Sequence, residues 1–277
     1  MRNLRLCCKL VFGMAFAGAS ISGFAASVWT IEPPGSSFQF VKAGEGAGRV
    51  ELEFRNVSDK IISAYIVCLN GEDGASCDLR DWSVGQAKEG MKPGDTETVH
   101  VPAAMAAKAD NTLHIAAVVF DDGSAEGNSE ALLRIRLNRL GRALETMRLE
   151  FLLSALKGTA LGDRDIDKAI AVIGRKAVGW EDPSFIGELK RYAELRGLRM
   201  PELSALPQWL RAGFVHSAQM ERALVADSLG KIRDKNPSSA RTHAPERKMR
   251  VSELKDALRT RGSKLTEVCK KLQQGRS

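Results

Sequence analysis

The chain has 277 residues, 44% of them hydrophobic, and a formal net charge of +7. That length suits one large or two ordinary domains. No fixed-period repeat is present, and past the first residues no stretch is apolar for long enough to span a bilayer, which excludes solenoid and multi-span membrane architectures.

The opening "MRNLRLCCK" carries Arg2, Arg5 and Lys9 and no acid; "LVFGMAFAGASISGFA" follows without a charge, and Gly23 and Ala25 stand as a small-x-small pair. This order predicts a secretory signal peptide over residues 1–25, cleaved after Ala25. The alternative, an uncleaved anchor, is disfavoured because the apolar run falls short of roughly 20 residues and is diluted by Gly and Ser. No Cys follows at a cleavage position, so a lipoprotein anchor is unsupported. Cleavage leaves 277 − 25 = 252 residues in the periplasm or outside the cell and removes Cys7 and Cys8.

Charge divides the remainder. Residues 26–127 hold 8 Lys+Arg against 16 Asp+Glu, a net of −8, whereas 128–277 hold 30 against 18, a net of +12. Periodicity changes at the same place. In "RVELEFR", Val50, Leu52 and Phe54 alternate with charged neighbours, the pattern of a half-buried strand. "IISAYIVCL" and "TLHIAAVVF" are apolar on both faces, as central strands are. "NVSDK" and "KPGD" supply turns, "TETVHV" resumes alternation, and Phe38 and Phe40 suggest a short early strand. These features predict an antiparallel, Ig-like β-sandwich over 26–127.

Residues 128–234 read as helical. Leu133, Leu137, Leu140, Leu144, Met147 and Phe151 make a heptad seam on a long helix, and Leu132, Ile135, Leu149, Leu152 and Leu156 widen it. So broad a stripe favours a helix bundle over a bare two-stranded coiled coil. "DRDIDKAIAVIGRKAV", "DPSFIGELKRYAELRG" (Pro183 to Gly197) and "LPQWLRAGFVHSAQMERALVADSLGKIRD" predict further helices. Polar, Pro-containing residues 235–248 predict a flexible linker. Residues 249–277 are amphipathic again, with Val251, Leu254, Leu258, Leu265, Val268 and Leu272 on one face; Arg261 interrupts that face and Gly262 is a possible break. The fold class expected is therefore α+β in two modules.

Motifs for chemistry are few. "AVVFDDGSAEG" concentrates acids, but an EF-hand count from Asp122 puts Leu133 at the twelfth position, where a carboxylate is needed. It reads as a strand end, a turn, and a lead into the long helix with Ser129 as N-cap. Gly44, Gly46 and Gly48 precede a strand rather than open a helix, so they read as a flexible loop and not a phosphate cradle. His100, His114, His216 and His243 lack metal-ligand spacing, and the mature chain has no G-x-S-x-G elbow. No catalytic residue, metal or cofactor is expected. Cys68 ends a predicted strand, and "LNGEDGAS" is able to loop back to bring Cys77 beside it, so a Cys68–Cys77 disulfide is expected, with Cys269 unpaired. The alternatives are a half-empty zinc site, and a buried Cys68 with a free Cys77.

"VSELKDALRTRG" resembles the first helix of a SAP nucleic-acid-binding motif over about a dozen residues. It departs at Ser263, where that motif has Leu, and lacks the following loop, so nucleic acid is not expected as a partner. "FRNVSDKIISAYIV", "KPGDT" and "VVFDDGSAEG" followed by a long basic helix resemble uncharacterised exported bacterial proteins with an N-terminal β-sandwich and a C-terminal helical region. That resemblance implies architecture and export, and no activity. The expectation is an exported, non-enzymatic interaction protein of the cell envelope, bound to a protein or an anionic component. The alternatives are an enzyme with its site between the modules, or a structural protein that self-associates through the Leu133–Phe151 seam.

Overall fold

The computed structural model describes residues 30–32, 37–46, 49–71, 74–84, 90–102, 112–155, 163–174, 183–234 and 244–274. The proposed signal peptide, Gly48, residues 235–243 of the linker and His243 lie outside them.

The described residues of the N-terminal half form eight strands: β1 (Thr30–Glu32), β2 (Phe38–Gly46), β3 (Arg49–Asn56), β4 (Ile62–Gly71), β5 (Gly74–Asp81), β6 (Thr96–Pro102), β7 (Thr112–Phe120) and β8 (Ala125–Gly127). One sheet runs β1-β7-β4-β5 with β8 also on β7; the other runs β2-β3-β6. All pairs are antiparallel except β1 with β7. The inner faces share one core. Phe38, Leu52, Phe54 and Val101 from one sheet meet Tyr65, Val67, Ile115 and Val118 from the other. Phe38 stacks on Phe54 at 5.1 Å and Tyr65 meets Trp82 edge-on at 5.5 Å, geometries that aromatic quadrupoles favour. Asn56 is fully buried yet satisfied. Its amide donates to the carbonyls of Lys60 and Met91, each at 2.8 Å, and its oxygen accepts from Ser58. The "NVSDK" turn is thus closed from inside.

Two strand expectations need correction. "AGEG" is not a flexible loop: it carries β2 on into a hairpin with β3, where Gly46 faces Arg49. Ladder pairing with a strongly alternating partner overrides the weak strand preference of glycine. β5, "GASCDLRD", is a strand where a simple return loop had been expected. Its polar composition carries no strand signature, because it is an edge strand half open to solvent.

Among the described residues five α-helices follow: α1 (Ser129–Ala155), α2 (Asp163–Gly174), α3 (Pro183–Leu195), α4 (Gln208–Asp234) and α5 (Ala244–Gln274). The N-cap of α1 is Asn128, not Ser129: its side-chain oxygen accepts from the Ala131 amide at 2.7 Å. Leu137, Leu140, Leu144 and Met147 are buried against α3, α4 and α5, and Leu133 is partly so, whereas Phe151 is 65% exposed. Burial passes instead to Leu149 and Leu153, the drift that a straight helix of 3.6 residues per turn makes from a heptad. α5 begins at Ala244, inside the stretch read as linker, and continues unbroken through Gly262, which is seated on Thr146 and Met147. α1 and α4 cross closely at Gly141, where a Cβ would stand 2.8 Å from the Phe214 carbonyl oxygen. Among the described residues no helix is long and apolar enough to cross a membrane.

A cleft between the sheet and the helices as candidate functional site

The outer face of the β4–β7 sheet is apolar. Ala64, Ile66, Cys68, Ala117 and Val119 receive Ala131 and Ile135 of α1 and Leu272 of α5. The sequence therefore makes β4 and β7 two-sided strands because helices cover what solvent would otherwise meet.

One fully buried ion pair fixes α1 on this face. Arg139 Nε and Nη2 donate to the two Asp81 oxygens at 2.9 and 3.2 Å, and Nη2 also donates to Ser63 Oγ at 3.0 Å. The two side chains are 1% and 2% exposed. A planar guanidinium matches a carboxylate in this forked way, and a buried pair persists only with such geometry. Further along α1, two buried carboxylates collect arginines from other helices. Glu221 of α4 accepts from Arg142 of α1 at 3.0 Å and from Arg261 of α5 at 2.7 Å. Glu145 of α1 accepts from Arg222 of α4 at 2.6 Å and from Arg148 at 3.2 Å. Arg222 and Arg148 also lie over the Phe185 ring. The Arg261 that interrupts the tail's apolar face is thus the residue that ties α5 to α4.

Crossed and tied in this way, α1 and α4 leave a cleft of about 950 Å³ over the sheet. Ile66 and Cys68 of β4, Cys77 and Leu79 of β5, and His114 and Ala116 of β7 form its floor. Glu130, Arg134, Asn138 and Arg142 recur every four residues along one wall, a stripe about 18 Å long at 1.5 Å per residue. Trp209, Phe214 and Met220 of α4 stand on the other wall. Trp209 is 46% and Met220 40% exposed. Arg134 is half-buried; loss of solvent pushes its pKa down, and nearby Asp78 opposes that shift. It pairs with no carboxylate among the described residues, and its one hydrogen bond goes from Nη2 to the Cys77 carbonyl at 3.3 Å. Arrangements of this size, with an apolar wall and a few convergent polar groups, are what ligand sites are built from.

The disulfide expected from sequence is formed: Cys68 and Cys77 are bonded, with Cα atoms 4.0 Å apart across β4 and β5. Cys269 is free and buried, and burial pushes its thiol up to about 12. The histidines are not brought together as a set. His100 lies on β6 with Nδ1 3.6 Å from Glu51, whereas His114 and His216 both line the cleft. Among the described residues no group of three His, Cys, Asp or Glu is placed to hold a metal ion. The acid-rich "DDGS" is a turn. Asp122 Oδ1 accepts from the Ser124 amide and hydroxyl at 2.8 and 2.6 Å, and Lys60 Nζ stands 2.7 Å from Asp122 Oδ2. Sequence reasoning missed Arg134, Arg139, Arg142 and Trp209. The one usable signal was the four-residue recurrence of polar residues on α1 opposite its buried stripe. No protein-family model, curated protein or solved structure matches the chain.

Proposed function

We propose that the protein is an exported, non-enzymatic interaction module of the cell envelope that holds its ligand in the cleft between an Ig-like β-sandwich and the helical region. The observation that carries this reading is the cleft itself: Trp209 and Met220 stand exposed on one wall, and on the other Arg134 pairs with no carboxylate among the described residues. Exposed aromatic and thioether groups beside an available guanidinium are the residue types that dominate binding sites. Catalysis in the same place is less well supported. The cleft serine, Ser217, donates its hydroxyl to the Gly213 carbonyl at 2.8 Å, so it is not poised on a base. Attraction of the basic half to an anionic surface is weakened by the internal use of Arg139, Arg142, Arg222 and Arg261.

The test is capture from envelope extract by the wild-type protein and by Trp209→Ala and Met220→Ala. Both substitutions are expected to abolish capture of whatever the wild type retains while leaving the thermal midpoint unchanged. Retention by both variants would remove the cleft as the interface. Turnover of a captured small molecule would move the reading to the enzyme alternative.

A further inference from the structure

The floor of the cleft carries a reactive constellation that ligand binding does not use. Cys77, Cys68 and His114 stand in one row across β5, β4 and β7, because Cys68 is the register partner of both Cys77 and His114. Directly opposed residues on one face hold their Cβ atoms about 5 Å apart, which puts the imidazole within reach of Cys68 Sγ. All three line the cleft. Cys68 is 4% exposed, whereas Cys77 is half-buried.

We propose that the Cys68–Cys77 bridge is a site of thiol–disulfide exchange, with an aliphatic thiol entering the cleft as its substrate. A thiolate displaces sulfur along the extension of the S–S bond. For attack on Cys77 that line comes in from the β5 side, and among the described residues β5 is the outermost strand of its sheet. For attack on Cys68 it comes in from β7, where His114 stands. The incoming thiolate therefore bonds to Cys77 Sγ, the Sγ–Sγ bond breaks, and its electron pair leaves on Cys68 Sγ. His114 is placed to give that sulfur a proton or a hydrogen bond. A second thiol attacking the mixed disulfide completes the exchange. Two thiols become one disulfide, and the bridge becomes two thiols. Arg134, bonded to the Cys77 carbonyl, puts a cation beside the attacked residue. Glu130 on α1, Asp78 on β5 and His216 on α4 also line the cleft and set the local field with it.

The proposal does not rest on the ligand reading given above, and its test uses glutathione on the folded full chain. Peptide mapping after acid quenching separates Cys77 from Cys7, Cys8 and Cys269. The expected result is an adduct on Cys77, a newly alkylatable Cys68, and a rate unchanged by low urea, which marks attack on the native state. His114→Gln should slow the reaction on the order of ten-fold, as loss of leaving-group assistance requires. An adduct on Cys68, or a rate that climbs with urea in step with global unfolding, would overturn the proposal. Equal rates for wild type and His114→Gln would remove His114 from the step.

Discussion

The two halves of the molecule fill their interiors in opposite ways. Between the sheets lie aromatic and aliphatic side chains, with Asn56 as a fully buried polar side chain that closes a turn. Among the helices, Glu145, Glu221, Arg139 and Arg222 are buried beside the leucines. Asp81 apart, the acidic half therefore keeps its described charges at or near its surface, whereas the basic half places several of its arginines inside. Burial of apolar surface is non-directional and suits sheets whose register the strand ladders already set. Three long helices have no such ladder between them, and the forked arginine pairs supply the missing register. A net charge of +12 over residues 128–277 is accordingly a poor guide to what the surface attracts.

The largest expected effect separates these two kinds of interior. Phe54→Ala should cost about 3–5 kcal/mol through lost transfer energy and an unfilled cavity. Arg139→Ala should cost a similar 3–5 kcal/mol, but for another reason: it strands the buried Asp81 carboxylate. Urea unfolding measures both. The contrast lies in rescue. Arg139→Met combined with Asp81→Leu should recover most of the loss, because no charge is then left unpaired. No second truncation restores Phe54→Ala. An Arg139→Ala cost under 1 kcal/mol would show that the pair does not seat α1 on the sheet.

These same differences explain what was legible in the sequence. Strand β3 shows in the alternation of its own residues and β4 and β7 in their unbroken apolar runs, and the Cys68–Cys77 bridge spans only nine residues. α1 and α4 likewise announce themselves by spacing. The cleft does not, because its walls are brought together by partners far apart in the chain: 58 residues separate Arg139 from Asp81 and 77 separate Arg222 from Glu145. Local periodicity marks an arginine on an apolar face only as an interruption, as with Arg261, and cannot name the carboxylate that receives it. β5 escaped for a related reason. Its composition reflects an edge position that only the assembled sheet defines.

A smaller effect tests how the halves are joined. Gly123 in the "DDGS" turn has φ of +89°, and a Cβ there would lie 2.6 Å from the Lys271 carbonyl carbon of α5. Gly123→Ala should therefore cost about 1–3 kcal/mol in backbone strain and push the end of α5 from the turn. Gly187, inside α3 with nothing within 4 Å of a built Cβ, supplies the control. Gly187→Ala should stabilise by about 0.5–1 kcal/mol. Hydrogen exchange would add the location, with faster exchange in the last turns of α5 for Gly123→Ala alone. Equal effects of the two substitutions would mean that the turn and α5 are not in contact.

The smallest effect sets an exposed ion pair against the buried one. Asp122 falls from its ordinary 3.8 to about 2, chiefly through its bond to Lys60 and then through Ser124. A folded-state value below the unfolded one means that the contribution to stability is complete above pH 3.8. It drains away as pH falls towards 2, where the folded carboxylate also takes up its proton. The two side chains are 42% and 48% exposed, so solvent screens the pair and the contribution is small. Asp122→Asn keeps the oxygen that Ser124 bonds and removes the charge. Its destabilisation at pH 7 should shrink both near pH 2 and in 1 M salt, where the screening length is about 3 Å. The Arg139–Asp81 pair, 1% and 2% exposed, should be insensitive to the same salt. A cost for Asp122→Asn that is the same at pH 7 and pH 2 would assign the turn's stability to the Ser124 hydrogen bonds rather than to Lys60.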